Sequence, residues 1–258
     1  MIRTAQLADY EAFTVLHAEL GLAEPPPSRD RLTSTLVAAH DDRVDGYVHV
    51  HTFGTVGYIR QLVVRESVRG HGTELMLHAA AALRLAGIRE WHLNVKQDNA
   101  PAIALYEQLG LRAEHQSTAL RFPWARIGEL PCEDAIALPV AAEEDDELER
   151  GLGMLGGQIA MARRRPGAVL RQLRTADCVP IGFAALDPEV PGARTFRVAR
   201  PELVGTLLWA LRHHTQKEDF ALVIDDHPAV VDLLVTHGAI VKLQLVHYAG
   251  QLPELAVL

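Results

Sequence analysis

YIRQLVVRESVRGHGTELMLHAAAALRLAGIREWHLNVKQDNAPAIALYEQLGLR, residues 58–112, is the stretch whose reading decides the fold. Ile59 to Val64 is a short apolar, β-branched run bounded by charge, the pattern of a buried strand. Val68-Arg69-Gly70-His71-Gly72-Thr73 follows and opens a long helical pattern. Two glycines at that junction permit a tight turn whose N–H groups face one point. Leu75, Met76, Ala79, Ala80 and Leu83 recur at helical spacing as far as Gly87, which suits a C-terminal cap. The glycine loop therefore lies at the positive end of a helix, where phosphate is attracted. Glu90 to Val95 reads as a second strand, and Asn99 to Leu109 as a second helix ended by Gly110, with Tyr106 four residues before that glycine.

These residues resemble the GNAT family of acetyl-CoA-dependent N-acetyltransferases. The family's first motif is arginine or glutamine, two residues, glycine, one residue, then glycine or alanine; Arg69 and Gly72 meet it and Glu74 breaks it. The second motif is matched by Asn99, Ala102, Leu105, Tyr106 and Leu109-Gly110-Leu111. The order strand, glycine loop, amphipathic helix, strand and second motif is far more specific than a glycine loop alone. A dinucleotide-binding reading requires G-x-G-x-x-G with an acidic residue about 20 positions on, and the third glycine is missing.

Upstream, Met1 to Ala5 reads as a strand, and Asp9 can cap a helix running to about Leu20. Pro25-Pro26-Pro27 ends that pattern, and a charged, helix-compatible segment follows from Ser28. Two strands come next, Thr35 to His40 and Val44 to Phe53, joined by an Asp41-Asp42 turn. In the second of these Tyr47, His49 and His51 share one face. Arg112 to Phe122 makes a further strand, so the resemblance covers about Met1 to Phe122.

The second half reads as a worn copy of the first. Strands are expected over Ile136–Val140, Ala168–Leu173, Cys178–Leu186, Thr195–Ala199 and Ala221–Asp225, with helices from Glu143, from Pro201 and from Pro228 to Gly238. Setting Gly238 against Gly110 puts His227 at the Asn99 position and Leu234 at the Tyr106 position, and Arg200-Pro201-Glu202 leads into its helix with no glycine loop. The expected architecture is α/β: two tandem GNAT-like domains, each a twisted mixed sheet with helices on both faces. Residues 1–123 form the acetyl-CoA-binding catalytic domain in this reading, 124–135 a linker and 136–258 a degenerate copy.

Composition places the chain among soluble globular proteins, with 48% apolar and 22% charged residues over 258. The N-terminus lacks the blocks of a signal peptide and no window approaches 18 uninterrupted apolar residues, so the expectation is cytoplasmic with no membrane partner. A formal charge of −8 disfavours nucleic acid and favours a cationic partner such as an amine. Cys132 and Cys178 fit no metal spacing and read as reduced thiols. Thirteen histidines are scattered along the chain, and no metal is expected from them.

The resemblance also implies roles. Backbone N–H groups of Arg69, Gly70, His71, Gly72, Thr73 and Glu74 would take the acetyl-CoA pyrophosphate, and Leu62, Val63 and Val64 would pair with the pantetheine arm like an added strand. Tyr106 matches the general acid that protonates the departing coenzyme A sulfur. Asn99 would bond the cofactor arm or brace the loop, unless it simply begins a helix. Relatives carry a basic glutamate where this chain has Arg60-Gln61 or Asn94, none of which accepts a proton at neutral pH. His49 or His51 is the substitute offered by the facing strand. Glu74 would put negative charge beside the pyrophosphate unless it turns outward. The implied reaction is direct attack of a primary amine on the thioester in a ternary complex; the alternative is a catalytically silent protein that holds acetyl-CoA as a structural or sensory ligand.

Overall fold

Strand β1 (Ile2–Thr4) leads through a 3-10 turn (Leu7–Asp9) into helix α1 (Tyr10–Glu19), as the apolar spacing anticipates. Asp9 is not the cap residue: its carboxylate accepts the Gln6 N–H at 2.7 Å and pairs with the Arg3 guanidinium. The computed structural model describes residues 1–19, 26–40, 43–65, 68, 70–188 and 192–254, so the Asp41-Asp42 turn and Arg69 lie outside the described residues. A 3-10 helix (Arg29–Ser34) precedes β2 (Thr35–His40), β3 (Arg43–Phe53) and β4 (Val56–Val64). Next come α2 (His71–Leu85), β5 (Glu90–Lys96), α3 (Ala100–Gln108) and β6 (Arg112–Pro123).

The rest of the chain supplies β7 (Ile136–Pro139), α4 (Asp145–Gly151), α5 (Gln158–Arg163), β8 (Val169–Arg174), β9 (Pro180–Asp187) and β10 (Gly192–Val198). It ends with α6 (Val204–Arg212), β11 (Asp219–Asp225), α7 (Pro228–Thr236) and β12 (Ile240–Gln251). Helix α5 and strand β12 have no counterpart in the sequence reading. No helix among the described residues is long and apolar enough to cross a membrane.

Two compact units result: residues 1–114 with 247–258, and residues 115–246. The division falls elsewhere than at 123 and 136, because two 12-residue strands each serve both units. Strand β6 leaves the first unit after Glu114, and β12 returns to it at His247. The first unit's sheet runs β1-β2-β3-β4-β5, with residues 247–251 of β12 beside β5. Its first three pairings are antiparallel and β4–β5 is parallel, with α2 as the crossover. In the second unit the order is β6-β11-β10-β9-β8-β7, again with one parallel pair, β10–β11, joined through α6.

In the first unit the two sheet faces are set by strand alternation. Val63 packs with Tyr47, Phe13 and Leu16 under α1, whereas Val64, one residue on, lies toward Gly72 at the start of α2. The α2 stripe Leu75, Met76, Ala79, Ala80 and Leu83 is buried as its spacing demands.

The expected linker 124–135 is packed, as Trp124 and Ile127 suggest, and its first half contributes to the second unit's core. Trp124, Ile127 and Leu130 are buried among Leu207, Leu208 and Phe220, and a 3-10 helix spans Trp124–Glu129. Burial of those three side chains overrides the turn-like composition around Pro123 and Pro131. Gly205 of α6 lies so close to this segment that an added Cβ would stand 2.4 Å from the Pro131 carbonyl oxygen. Gly205→Ala should therefore destabilise the protein by about 1–3 kcal/mol, read as a lowered melting temperature; an unchanged melt would mean that residues 131–132 are free to move. Cys132 and Cys178 are free thiols.

Candidate functional site

The site is created by a bulge. His49 pairs with Gln61 but Val50 with Ile59, so Arg60 is an extra residue in β4. A bulge bends its strand and locally ends pairing. Parallel pairing of β4 with β5 accordingly runs from Val56↔Glu90 to Ile59↔Leu93 and stops, although β4 continues to Val64 and β5 to Lys96. On the other edge of β4, Leu62, Val63 and Val64 remain paired with Val48, Tyr47 and Gly46. The three expected cofactor-arm residues thus have ladder partners on the β3 side and none on the β5 side.

The loop beyond β4 leads to a helix start that lies beside Val64. Gly70 caps α2 with φ +103°, a conformation that side-chain-bearing residues rarely adopt, and its carbonyl accepts the N–H groups of Thr73 at 3.1 Å and Glu74 at 3.4 Å. The amides at the start of α2, those of His71 and Gly72 among them, belong to the first turn, whose donors have no partner within the helix. Gly72 has Leu105 of α3 and Val64 of β4 as its neighbours, the nearest atom 3.4 Å from an added Cβ. That contact joins loop, helix and open strand. Glu74, the departure from the motif, bonds His71 Nδ1 at 3.0 Å, and its side chain is 61% exposed. This arrangement draws the carboxylate into a local pair on the surface.

Tyr106 lies on α3 with only 7% of its surface exposed, and burial pushes its phenol up to about 12. It therefore holds its proton throughout the neutral range. Asn99 is the N-cap of α3: its side-chain oxygen accepts the Ala102 N–H at 3.3 Å, with Pro101 in the first turn. Of the two roles open to Asn99, the cap is the one this geometry displays.

His49 and His51 stand on the face of the sheet that α1 covers. His49 is buried, bonded through Nδ1 to Thr35 Oγ1 at 2.9 Å and through Nε2 to His51 Nε2 at 2.8 Å. Arg31 donates to the same His51 nitrogen at 2.8 Å. Burial first, then the Arg31 cation, lowers His49 to about 4; the Ser34 backbone opposes this, with Arg60 adding to the lowering and Asp30 opposing it less. Beside this pair, the Tyr47 hydroxyl donates to Gln61 Oε1 at 3.1 Å and meets His17 on its other side.

The same face holds a group that sequence reasoning missed. Tyr58 pairs with both His51 and His92, which puts the β5 residues Glu90, His92 and Asn94 on this side. His92 Nδ1 lies 2.8 Å from Nε2 of His247 on β12, and Glu114 of β6 lies 3.8 Å from that Nε2. Glu90, His92 and Asn94 form a polar stripe of period two on a strand otherwise buried, a signal present in the sequence. His247 sits in the strand left unassigned there.

Strand β10 carries a bulge of its own, but among the described residues the second unit has no glycine turn before its crossover helix. Strand β10 runs through Arg200 and a 3-10 turn at Pro201–Leu203 straight into α6, and Arg200 is paired with Glu133. Leu234, at the position of Tyr106, is fully buried, and His227 caps α7 without a side-chain bond.

Comparison with known proteins bears on the fold. The model of the acetyltransferase (GNAT) family matches residues 4–111. A candidate acetyltransferase of Pyrococcus horikoshii superposes with a TM-score of 0.70 at 15% identity, over 98% of this chain and 89% of that one. A tandem GNAT protein from the clavulanic acid biosynthesis pathway gives 0.61 at 16% identity, over 99% and 100%. A GCN5-related N-acetyltransferase from Sphaerobacter thermophilus gives 0.64 at 15% identity, over 100% and 97%. At these identities the structural likenesses establish the fold. A search among curated proteins finds no match.

Proposed function

We propose that the first unit, whose residues 4–111 match the model of the acetyltransferase (GNAT) family, transfers the acetyl group of acetyl-CoA to a primary amine by direct attack in a ternary complex. The observation that carries this reading is the end of β4–β5 pairing at Ile59 and Leu93 while β4 continues to Val64, with the Gly70–Gly72 turn near Val64 and Tyr106 on the adjoining helix.

The residues present fit the co-substrate. Leu62, Val63 and Val64 offer unpaired backbone groups on the β5 side to an extended amide-bearing arm. The first-turn amides of α2 offer donors and a positive dipole end to a pyrophosphate. Bound acetyl-CoA supplies an acetyl group already activated as a thioester. A backbone N–H of β4 can polarise its carbonyl, and the Tyr106 phenol, protonated at neutral pH, can pass its proton to the sulfur as the C–S bond breaks. The second unit, with an aliphatic residue at the tyrosine position and no glycine turn, would hold no acetyl-CoA.

The amine's own proton decides which acceptors work. His49, held to about 4 and bonded on both ring nitrogens, is a poor proton acceptor at pH 7. Acceptors would then react as the free base, which favours α-amino and other low-pKa amines near 7.7–8.0 over lysine-like amines near 10.4. The test is free-thiol release over a panel of amines, with kcat/KM followed against pH. The rate should climb with pH until each acceptor's own pKa is passed. An inflection that ignores acceptor pKa and disappears in His49→Ala or His51→Ala would show that a histidine is the base. No amine-dependent thiol release, with acetyl-CoA still bound, would favour a silent binding protein.

A further inference from the structure

We propose that His92, Glu114 and His247 form a binding site for one divalent transition-metal ion, of the zinc class, within the first unit. Their candidate ligand atoms all lie within 4.8 Å of one another, and all three residues stand on strands of that unit.

Tautomers carry the argument. Nε2 of His92 lies 2.9 Å from a carboxylate oxygen of Glu90, which only accepts, so the His92 proton resides on Nε2 and the lone pair on Nδ1. Nδ1 of His247 lies 2.9 Å from Asn94 Oδ1, so with the Asn94 amide assigned in this orientation the His247 proton is on Nδ1 and its lone pair on Nε2. Those two lone pairs, on His92 Nδ1 and His247 Nε2, face each other at 2.8 Å. Two neutral imidazoles cannot rest lone pair to lone pair; a cation belongs between them. Glu114 Oε2, 3.8 Å from His247 Nε2, adds an anionic oxygen.

Such an N,N,O set suits zinc, with the second ring nitrogen of each histidine already fixed by a carboxylate or an amide oxygen, the usual outer support of a metal-bound imidazole. Nitrogens about 2.0–2.1 Å from a tetrahedral ion stand about 3.3 Å apart, so the pair must open by about half an ångström to seat one. The imidazoles are buried, while the Glu114 side chain is half exposed and leaves a path from solvent. Three protein ligands also leave the fourth tetrahedral position to water.

The test is titration of the chelator-stripped full chain with zinc ion, read by calorimetry and by metal content after gel filtration, with cobalt ion as a visible-light reporter of tetrahedral geometry. One ion per chain is expected. Glu114→Gln, at a partly exposed position, should weaken binding at least tenfold while leaving the metal-free melting temperature unchanged. His247→Gln should abolish binding, and Glu90→Ala, which frees the His92 ring, should weaken it by about 10–100-fold. No saturable zinc binding would overturn the proposal, leaving a shared proton as the cation between the rings. Binding undiminished in both Glu114→Gln and His247→Gln would overturn it equally. Each readout is independent of acetyl transfer, so its failure is separable from failure of the proposed activity.

Discussion

Tyr106→Phe should lower turnover by about 10²–10⁴, the loss typical when an acid catalyst is removed, while acetyl-CoA affinity stays within a few-fold. The substitution keeps the ring that α3 buries and deletes only the hydroxyl, so packing gives no reason for the protein to melt earlier. Because burial holds the phenol at about 12, Tyr106 delivers no titration of its own in the neutral range, and the fall should be nearly uniform with pH up to that region. Pre-steady-state thiol release, compared with equilibrium binding of acetyl-CoA, separates chemistry from affinity. Undiminished release would mean that the thiolate departs unaided or takes its proton from another group.

Gly72→Glu should abolish acetyl-CoA binding, with a loss of at least a hundredfold in affinity. An added Cβ at Gly72 meets nothing nearer than 3.4 Å, so alanine there is accommodated and the fold itself is not at stake. A glutamate goes further: it extends from the same Cβ at the amide end of α2 and brings an anion to the place where a pyrophosphate would lie. Like charges then compete for one positive helix end. Calorimetry on the wild-type chain, Gly72→Ala and Gly72→Glu makes the distinction. Binding should survive in the first two and vanish in the third; affinity retained in Gly72→Glu would place the pyrophosphate elsewhere. Two equivalent sites in the wild type would show that the second unit, with no glycine turn before α6, nevertheless holds the co-substrate.

Much of the first unit was legible in order along the chain. The α2 stripe declared its helix by period, Gly87 and Gly110 marked the ends of α2 and α3, and the apolar runs at 35–40, 44–53 and 90–95 fell on strands. Local signals of this kind suffice where the burying partner is a neighbour in sequence. They reached only part of the way at 124–135, where Trp124 and Ile127 suggested a packed linker but not that its core lies more than 70 residues away at Leu207 and Leu208. They failed at β12, whose alternation Val241, Leu243, Leu245 reads weakly because half of the strand serves one unit and half the other.

The candidate site divides in the same way. Glycine turn, open-strand residues and Tyr106 follow one another within 50 residues, and their chemistry could be named from spacing and resemblance. Whether Glu74 spoils the loop could not, because its outward pairing with His71 is a rotamer, and rotamers answer to neighbours. The weakness of His49 as a base depends on burial and on Arg31 and Arg60, charges brought near by two different segments.

By itself, then, the sequence determined the helices and strands whose apolar period is local, the glycine turn at a helix start and the phenol four residues before Gly110. Only the tertiary structure decided where β4 and β5 part, which charges surround His49, and that His92, Glu114 and His247 meet. The reason is physical. A period or a cap is specified by side chains within one or two turns of each other, whereas proton affinity and ligand geometry depend on what distant strands place within a few ångströms.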